Sequence, residues 1–292
     1  MQLNTIGGMA TIKSRLSTLE AVLDSIVNQL SILYVYFNDH KEVPRFISKY
    51  RNVVAILGVD SYGDLNANAK MYFMDYEESG IAFTLDDDII YPSNYVSRML
   101  AMYSRYPKGA CLSVHGSVIP DHASWYYERK IVYGFQNAMG KSNIVNLIGS
   151  GTAVFPVGIL HNYNFDYKNL IYVDLQITLA SLHSLLPVVV VSRPSQWLKS
   201  ITYEGLWQKF SKTATHHTHI LLKHNCWKSS HLRQIWKDVF ECLHCNNIAN
   251  PGRYLDLSQE SIGFVNGEPL GSPVGSAVQL ITVTRFTDLW VE

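Results

Sequence analysis

Short apolar runs alternate with amphipathic stretches over most of the chain. Residues 4–11 are small and apolar and predict a first buried strand. After a loop at 12–15, Leu19, Leu23, Ile26 and Leu30 recur at helical spacing and predict a helix to about Gln29. Ser17-Thr18-Leu19-Glu20 has capping-box spacing at its start. The runs 32–37 and 53–57 predict two more strands, with a short helix at 43–50 between them. A polar, Gly-containing segment at 63–70 opens a helix at 69–76, and Ile81-Ala82-Phe83-Thr84-Leu85 reads as a fourth buried strand. Further on, the pattern predicts a helix at 94–106 and a strand at 110–116 with His115 at its end. A strand, glycine turn and strand follow over 145–155, then a helix from Tyr172 to near Leu185 and a buried strand at 188–191. Strands alternating with helices give an α/β class with a mixed, mostly parallel sheet flanked by helices and a nucleotide-binding edge.

The chemistry concentrates where the fourth strand stops. Its apolar run ends in Asp86-Asp87-Asp88, followed by Ile89-Ile90-Tyr91-Pro92. Three adjacent carboxylates repel one another at neutral pH unless something positive joins them. In an open α/β sheet, ligands bind beyond the carboxyl ends of the strands. The cluster therefore predicts a site for a hard divalent cation such as Mg²⁺, whose shell is completed by substrate phosphate. The competing reading is a solvated acidic turn. Loops after the first three strands are expected on the same edge and carry Arg15, Asn38, Asp64 and Lys70. These supply two cations for phosphate oxygens and two groups able to bond a base or ribose.

Composition narrows the picture. The 292 residues are 47% hydrophobic and 16% charged, with 24 basic and 24 acidic side chains, which fits a globular protein with a sizeable core and gives no case for nucleic acid. No secretory signal is visible at Met1-Gln2-Leu3, and the longest apolar stretch, 185–191, is too short to span a bilayer. Four unevenly spread cysteines suggest reduced thiols and a cytoplasmic protein, peripheral at most to the inner face of a membrane. Cys242-x-x-Cys245 near His224 and His244 could hold zinc, but no second Cys-x-x-Cys pair supports it. Residues 226–292 are read as a C-terminal appendage to a domain at 1–225: a helix over 229–245, a Gly/Pro-rich arm at 246–275 and a strand at 277–283, which could begin a further domain.

Several blocks, in order, resemble the GT-A glycosyltransferases of bacterial capsule synthesis, most closely the heparosan-type α-N-acetylglucosaminyltransferases. They are Asp64 with Lys70, Leu85-Asp86-Asp87-Asp88-Ile89-Ile90-Tyr91-Pro92, Val114-His115-Gly116, Gly149-Ser150-Gly151-Thr152, Val173-Asp174, Trp197-Leu198 and Glu204-Gly205-Leu206-Trp207. The resemblance covers about residues 4–212. It implies a GT-A fold and transfer of a sugar, N-acetylglucosamine or a related hexosamine, from UDP to a polysaccharide or oligosaccharide acceptor. A partner transferase in a synthase complex is also implied. Under it the acidic motif binds Mn²⁺ or Mg²⁺ together with the diphosphate; Asp88 is the direct metal ligand, with Asp86 beside it, and Asp86 and Asp87 hold ribose or sugar. Thr11, Arg15, Asn38, Asp64 and Lys70 fall at the uridine and phosphate contacts. His115, Gly151, Thr152, Trp197, Glu204 and Trp207 fall on the sugar and acceptor side. Asp174 stands where an inverting enzyme keeps its general base, although the resemblance leans towards retention. The sequence departs from the pattern at Ser150, where Thr is usual, and after Asp174, where Leu175-Gln176-Ile177-Thr178 replaces basic and aromatic residues.

The residues suit that chemistry independently. Breaking a sugar–phosphate bond builds negative charge on the leaving diphosphate, which a divalent cation and cationic side chains stabilise. Trp197 and Trp207 could stack on sugar rings or fill the core, and the histidines at 216, 217 and 219 could lend a metal ligand. Two rivals remain open. Haloacid-dehalogenase phosphatases also place an Asp-x-Asp after an apolar strand, but on the first strand and with a second acidic pair downstream. A non-catalytic carbohydrate-binding or scaffold subunit would keep the fold without the reaction.

Overall fold

The computed structural model describes residues 4–106, 108–168 and 172–201, with isolated positions beyond them, including 221, 223–224, 227–228, 231–232 and 235. In chain order the strands are β1 (Thr5–Thr11), β2 (Ile32–Phe37), β3 (Val53–Leu57), β4 (Ile81–Leu85), β5 (Ile89–Ile90), β6 (Cys111–Ser113), β7 (Gly116–Val118), β8 (Ile131–Tyr133), β9 (Asn143–Ile144), β10 (Leu147–Ile148), β11 (Val154–Pro156), β12 (Val188–Val190) and β13 (Lys199–Ser200). The helices are α1 (Leu16–Ile26), α2 (Tyr95–Tyr103), α3 (Gly158–Tyr163) and α4 (Val173–His183).

Eight strands form one sheet in the order β3-β2-β1-β4-β11-β6-β12-β9. β1 pairs in parallel with both β2 and β4, and β2 with β3. In this register Thr11 lies opposite Phe37, Phe37 opposite Leu57, and Met9 opposite Leu85. The carboxyl ends of these four strands therefore share one edge, and the loops after them open on the same side. β11 enters antiparallel between β4 and β6, which makes the sheet mixed. Every residue of β4, and nearly every one of β1 and β2, is buried, as continuous apolar runs require when both faces are covered. Leu19, Val22, Leu23 and Ile26 form the inward stripe of α1, whereas α4 is buried nearly all round.

Local chemistry departs from the sequence pattern in three places. The stretch Asn66–Asp75 forms 3-10 turns rather than an α-helix. Its residues 68–73 are all buried, so that part lies flush on the sheet, while Asn66, Ala67 and Asp75 at its ends are exposed. A Cβ on Gly8 of β1 would stand 1.9 Å from the Lys70 carbonyl oxygen, so only glycine allows this approach. The short helix expected at 43–50 is likewise a 3-10 stretch, Arg45–Lys49, entered from Pro44. The expected capping box at Ser17–Glu20 does not form, because a 3-10 turn, Lys13–Arg15, starts the helix earlier and puts those residues inside it. Thr18 Oγ1 instead donates back to the Arg15 carbonyl at 2.9 Å.

Smaller sheets complete the site side of the molecule. β10, β7 and β8 form a three-stranded antiparallel sheet, and β5 pairs with β13. Beyond residue 225, Trp227, Leu232 and Ile235 are buried, and the Asn146 side-chain amide donates to the Trp227 carbonyl at 2.9 Å. Among the described residues no helix is long and apolar enough to cross a membrane.

Candidate functional site

Asp86, Asp87 and Asp88 occupy the turn between β4 and β5, at the shared carboxyl edge of the parallel strands. Tyr91, 2% exposed, braces this turn. The Asp86 backbone N–H donates to the Tyr91 hydroxyl oxygen at 2.8 Å, and that hydroxyl donates to the Gly151 carbonyl at 2.7 Å. The Tyr91 N–H donates to Ser25 Oγ of α1 at 3.2 Å, and the Tyr95 hydroxyl of α2 donates to the Thr152 carbonyl at 3.2 Å. One phenol thus joins the acidic turn to the glycine loop.

Both outer carboxylates are paired. Arg15 Nη1 lies 3.0 Å from Asp88 Oδ2, and Lys70 Nζ pairs with Asp86 Oδ1. Burial alone would depress the Lys70 ammonium, but the charge and hydrogen bond of Asp86, with Asp174 and Asp87 further off, hold its pKa above the usual value. Asp87 stands between the pairs. Burial first, and repulsion from Asp86 and Asp88, push its carboxyl up to about 6 against the opposing pull of the Thr11 hydroxyl and Arg15.

The loop after β10 forms the facing wall. Asp174, in the first turn of α4, accepts the Ser150 N–H at 3.1 Å. The Thr152 hydroxyl is committed inside the loop: it accepts the Val114 N–H at 3.1 Å and lies 2.9 Å from Ser113 Oγ. His115 follows β6 with Nδ1 buried and unbonded. Burial lowers its pKa, helped by Arg193 and Arg129 and opposed by Asp174 and Asp86, so the ring is neutral at pH 7. Arg129 lies over the Tyr126 ring at 4.8 Å and is also depressed by burial.

The structure therefore brings Thr11, Arg15, Lys70, His115, Gly151, Thr152 and Asp174 together around the turn that holds Asp86, Asp87 and Asp88. Asn38 and Asp64 serve the adjoining loop. The Asn38 amide accepts the Leu65 N–H at 3.0 Å and donates to the Asn66 carbonyl at 3.1 Å. Asp64 is exposed and accepts the Asn66 N–H at 2.8 Å. Trp197 packs on α2, its ring 5.6 Å from Tyr95 and under the Arg98 guanidinium, with its indole N–H donating to Asn94 at 3.2 Å. Glu204, Trp207, the histidines at 216, 217 and 219, and Cys242 with Cys245 lie outside the described residues. The roles of Tyr91 and Arg129 were not singled out from sequence. For Tyr91 the only signal was its place directly behind the acidic run.

The donor set fits a hard divalent cation: carboxylate oxygens at a strand end, partly open to solvent and crowded enough to lift Asp87. Among the described residues no three His, Cys, Asp or Glu side chains gather closely enough to enclose an ion.

No protein-family model and no curated protein sequence matches the chain. Solved structures do. TarS of S. aureus (residues 1–349) aligns at 13% identity over 67% of this chain and 59% of that one, with TM-score 0.46. In complex with UDP-GlcNAc it aligns at 13% identity over 70% and 60%, with TM-score 0.49. GalNAc-T7 with UDP, GalNAc and Mn²⁺ aligns at 9% identity over 65% of this chain and 42% of that one, with TM-score 0.51. The chain thus spans less than two thirds of the length of each. Both neighbours are GT-A glycosyltransferases. At such identities the likeness speaks to architecture, and the mixed, mostly parallel sheet with its flanking helices is a GT-A fold.

Proposed function

We propose that the chain is a metal-dependent glycosyltransferase that moves a sugar, N-acetylglucosamine or a related hexosamine, from a UDP-sugar to a polysaccharide or oligosaccharide acceptor. The observation that carries this reading is the pairing of Arg15 and Lys70 with the acidic turn at the carboxyl edge of a GT-A sheet. It supports the reading because two carboxylates stand beside two cations, groups suited to a metal and a diphosphate. UDP and Mn²⁺ in one neighbour, and UDP-GlcNAc in the other, agree with the choice of donor.

In this reading Asp88 and Asp86 hold Mn²⁺ or Mg²⁺, which when bound stabilises negative charge on the leaving diphosphate. Arg15 and Lys70 add fixed positive charge on the same side. Ser150, Gly151 and Thr152 set the floor under the sugar, with Asp174 and neutral His115 on the acceptor side. We take the transfer to retain anomeric configuration, with the departing phosphate accepting the hydroxyl proton. The acceptor belongs to a capsule-like polymer, extended at the inner face of the membrane alongside a partner transferase.

Thermal shift with a panel of UDP-sugars, with and without Mn²⁺, tests the proposal. The true donor at 100 times its Kd adds about 2.7 kcal/mol to stability. Mn²⁺-dependent stabilisation by one UDP-sugar, and release of UDP on incubation, are expected. Stabilisation without any turnover, on acceptors or water, would indicate a binding subunit instead. Indifference to every UDP-sugar would overturn the proposal.

A further inference from the structure

The eight-stranded sheet ends differently on its two sides. On one side stands β9, two residues long and too short to offer much of a ladder. On the other stands β3, a five-residue run of Val-Val-Ala-Ile-Leu paired with β2. The Leu33 N–H donates to the Asn52 carbonyl at 2.8 Å, which sets the phase of this parallel ladder. Val54 and Ile56 therefore spend their backbone groups on β2, whereas Val53, Ala55 and Leu57 turn their N–H and C=O groups outward. Among the described residues nothing bonds those outward groups.

An exposed edge is ordinarily blunted by Lys, Pro, a bulge or a covering element, because it templates pairing with another chain. β3 contains no Lys or Pro, and its register with β2 runs without a bulge. None of its side chains is buried: Val54 is 37% exposed, and Val59, just past the strand, is 59% exposed. Charge flanks the run in a pattern that favours one orientation. Arg51 precedes it and Asp60 follows it, both exposed, and neither has an ion-pair partner among the described residues. In an antiparallel pairing of two copies centred on Ala55, Ala55 faces its counterpart and Val53 faces Leu57, each presenting outward backbone groups to the other. Arg51 of each copy then comes alongside Asp60 of the other, and the two-fold symmetry makes this contact twice. A parallel pairing would bring like charges together instead.

We propose that the chain is a homodimer joined edge to edge through β3, its two eight-stranded sheets running on as one. With the far edge closed off by the short β9, pairing stops at two copies and does not grow into a fibre. The dimer does not depend on the transferase reading, since the acidic turn follows β4, three strands in from this edge.

Size-exclusion chromatography of the chain with light scattering tests it. The wild type should elute at the mass of two chains. Val54→Lys places a charge on the edge, and Ala55→Pro removes an outward N–H that the fold itself does not use. Each should reduce the mass to one chain. Val54 is exposed, so Val54→Lys decides the matter if Ala55→Pro fails to fold. Arg51→Glu should also dissociate the dimer, and adding Asp60→Arg to it should restore the dimer. A wild type of single-chain mass at every concentration would overturn the proposal, which is the result if the strand expected at 277–283 closes the edge from within the same chain. A dimer that survives Val54→Lys would overturn it by placing the contact elsewhere, and a charge swap that restores nothing would overturn the antiparallel pairing.

Discussion

Gly151 and Asp86 touch so closely that a Cβ built on the glycine would lie 1.9 Å from Asp86 Oδ2. The glycine loop and the acidic turn therefore hold each other's shape, and the residue at 151 determines where a metal-facing carboxylate sits. Gly151→Ala should leave the fold intact but push the Asp86 carboxylate off its position. Misplacing a catalytic group by about 1 Å can cost about 10²-fold in rate, so kcat/KM for the UDP-sugar should fall by roughly that factor. Steady-state kinetics beside a circular-dichroism melt would show it; unchanged kinetics would mean that the position of Asp86 is immaterial.

Tyr91 links the same two segments from below. Tyr91→Phe keeps the buried ring but leaves the Asp86 N–H and the Gly151 carbonyl without a partner. Unsatisfied buried polar groups cost about 1–3 kcal/mol, and urea unfolding should register a loss of that size. Affinity for Mn²⁺ and UDP together should drop as well, since the turn loses its brace. A fully stable variant would show that water replaces the phenol.

The four parallel strands and the acidic turn were legible because each strand is an unbroken apolar run closed by polar residues. The cations were legible too, as Arg15 and Lys70 in loops expected on one edge. Their partners were not, since pairing with Asp88 and Asp86 depends on a register that only the folded sheet sets. Nor could the sequence show that Asn38 spends its amide on residues 65 and 66, or that Trp197 turns towards α2. The 3-10 geometry of Asn66–Asp75 accompanies the pressing of its buried residues 68–73 against the sheet at Gly8, a tertiary demand that outweighs local propensity.

Asp87 gives the metal-free protein a pH signature. Its carboxyl is raised from 3.8 to about 6, so the folded state holds that proton more tightly than the unfolded chain does. Stability from this group is therefore fully present below the lower value, falls as pH rises between the two, and is gone above the upper one. Asp87→Asn does not titrate. In chelator, the melting temperature of the wild type relative to this variant should decline from about pH 4 to about pH 6 and then level off. A difference that stays flat or rises over that range would show that Asp87 is not lifted.

Asp174 separates the two stereochemical courses. One of its oxygens accepts the Ser150 N–H at 3.1 Å, a bond that an asparagine side-chain oxygen can also accept, so Asp174→Asn keeps the glycine loop in place and removes only the charge. If Asp174 is the base of an inverting transfer, losing it should cost about 10²–10⁴-fold in kcat, with little change in KM for the UDP-sugar. If configuration is retained, the departing phosphate takes the proton and Asp174 at most orients the acceptor hydroxyl. The defect should then be smaller and appear mainly in the acceptor KM. We expect the second pattern, with an α-linked product from an α-linked donor. A β-linked product by NMR, together with a collapse of kcat in Asp174→Asn, would make Asp174 the base and the enzyme inverting.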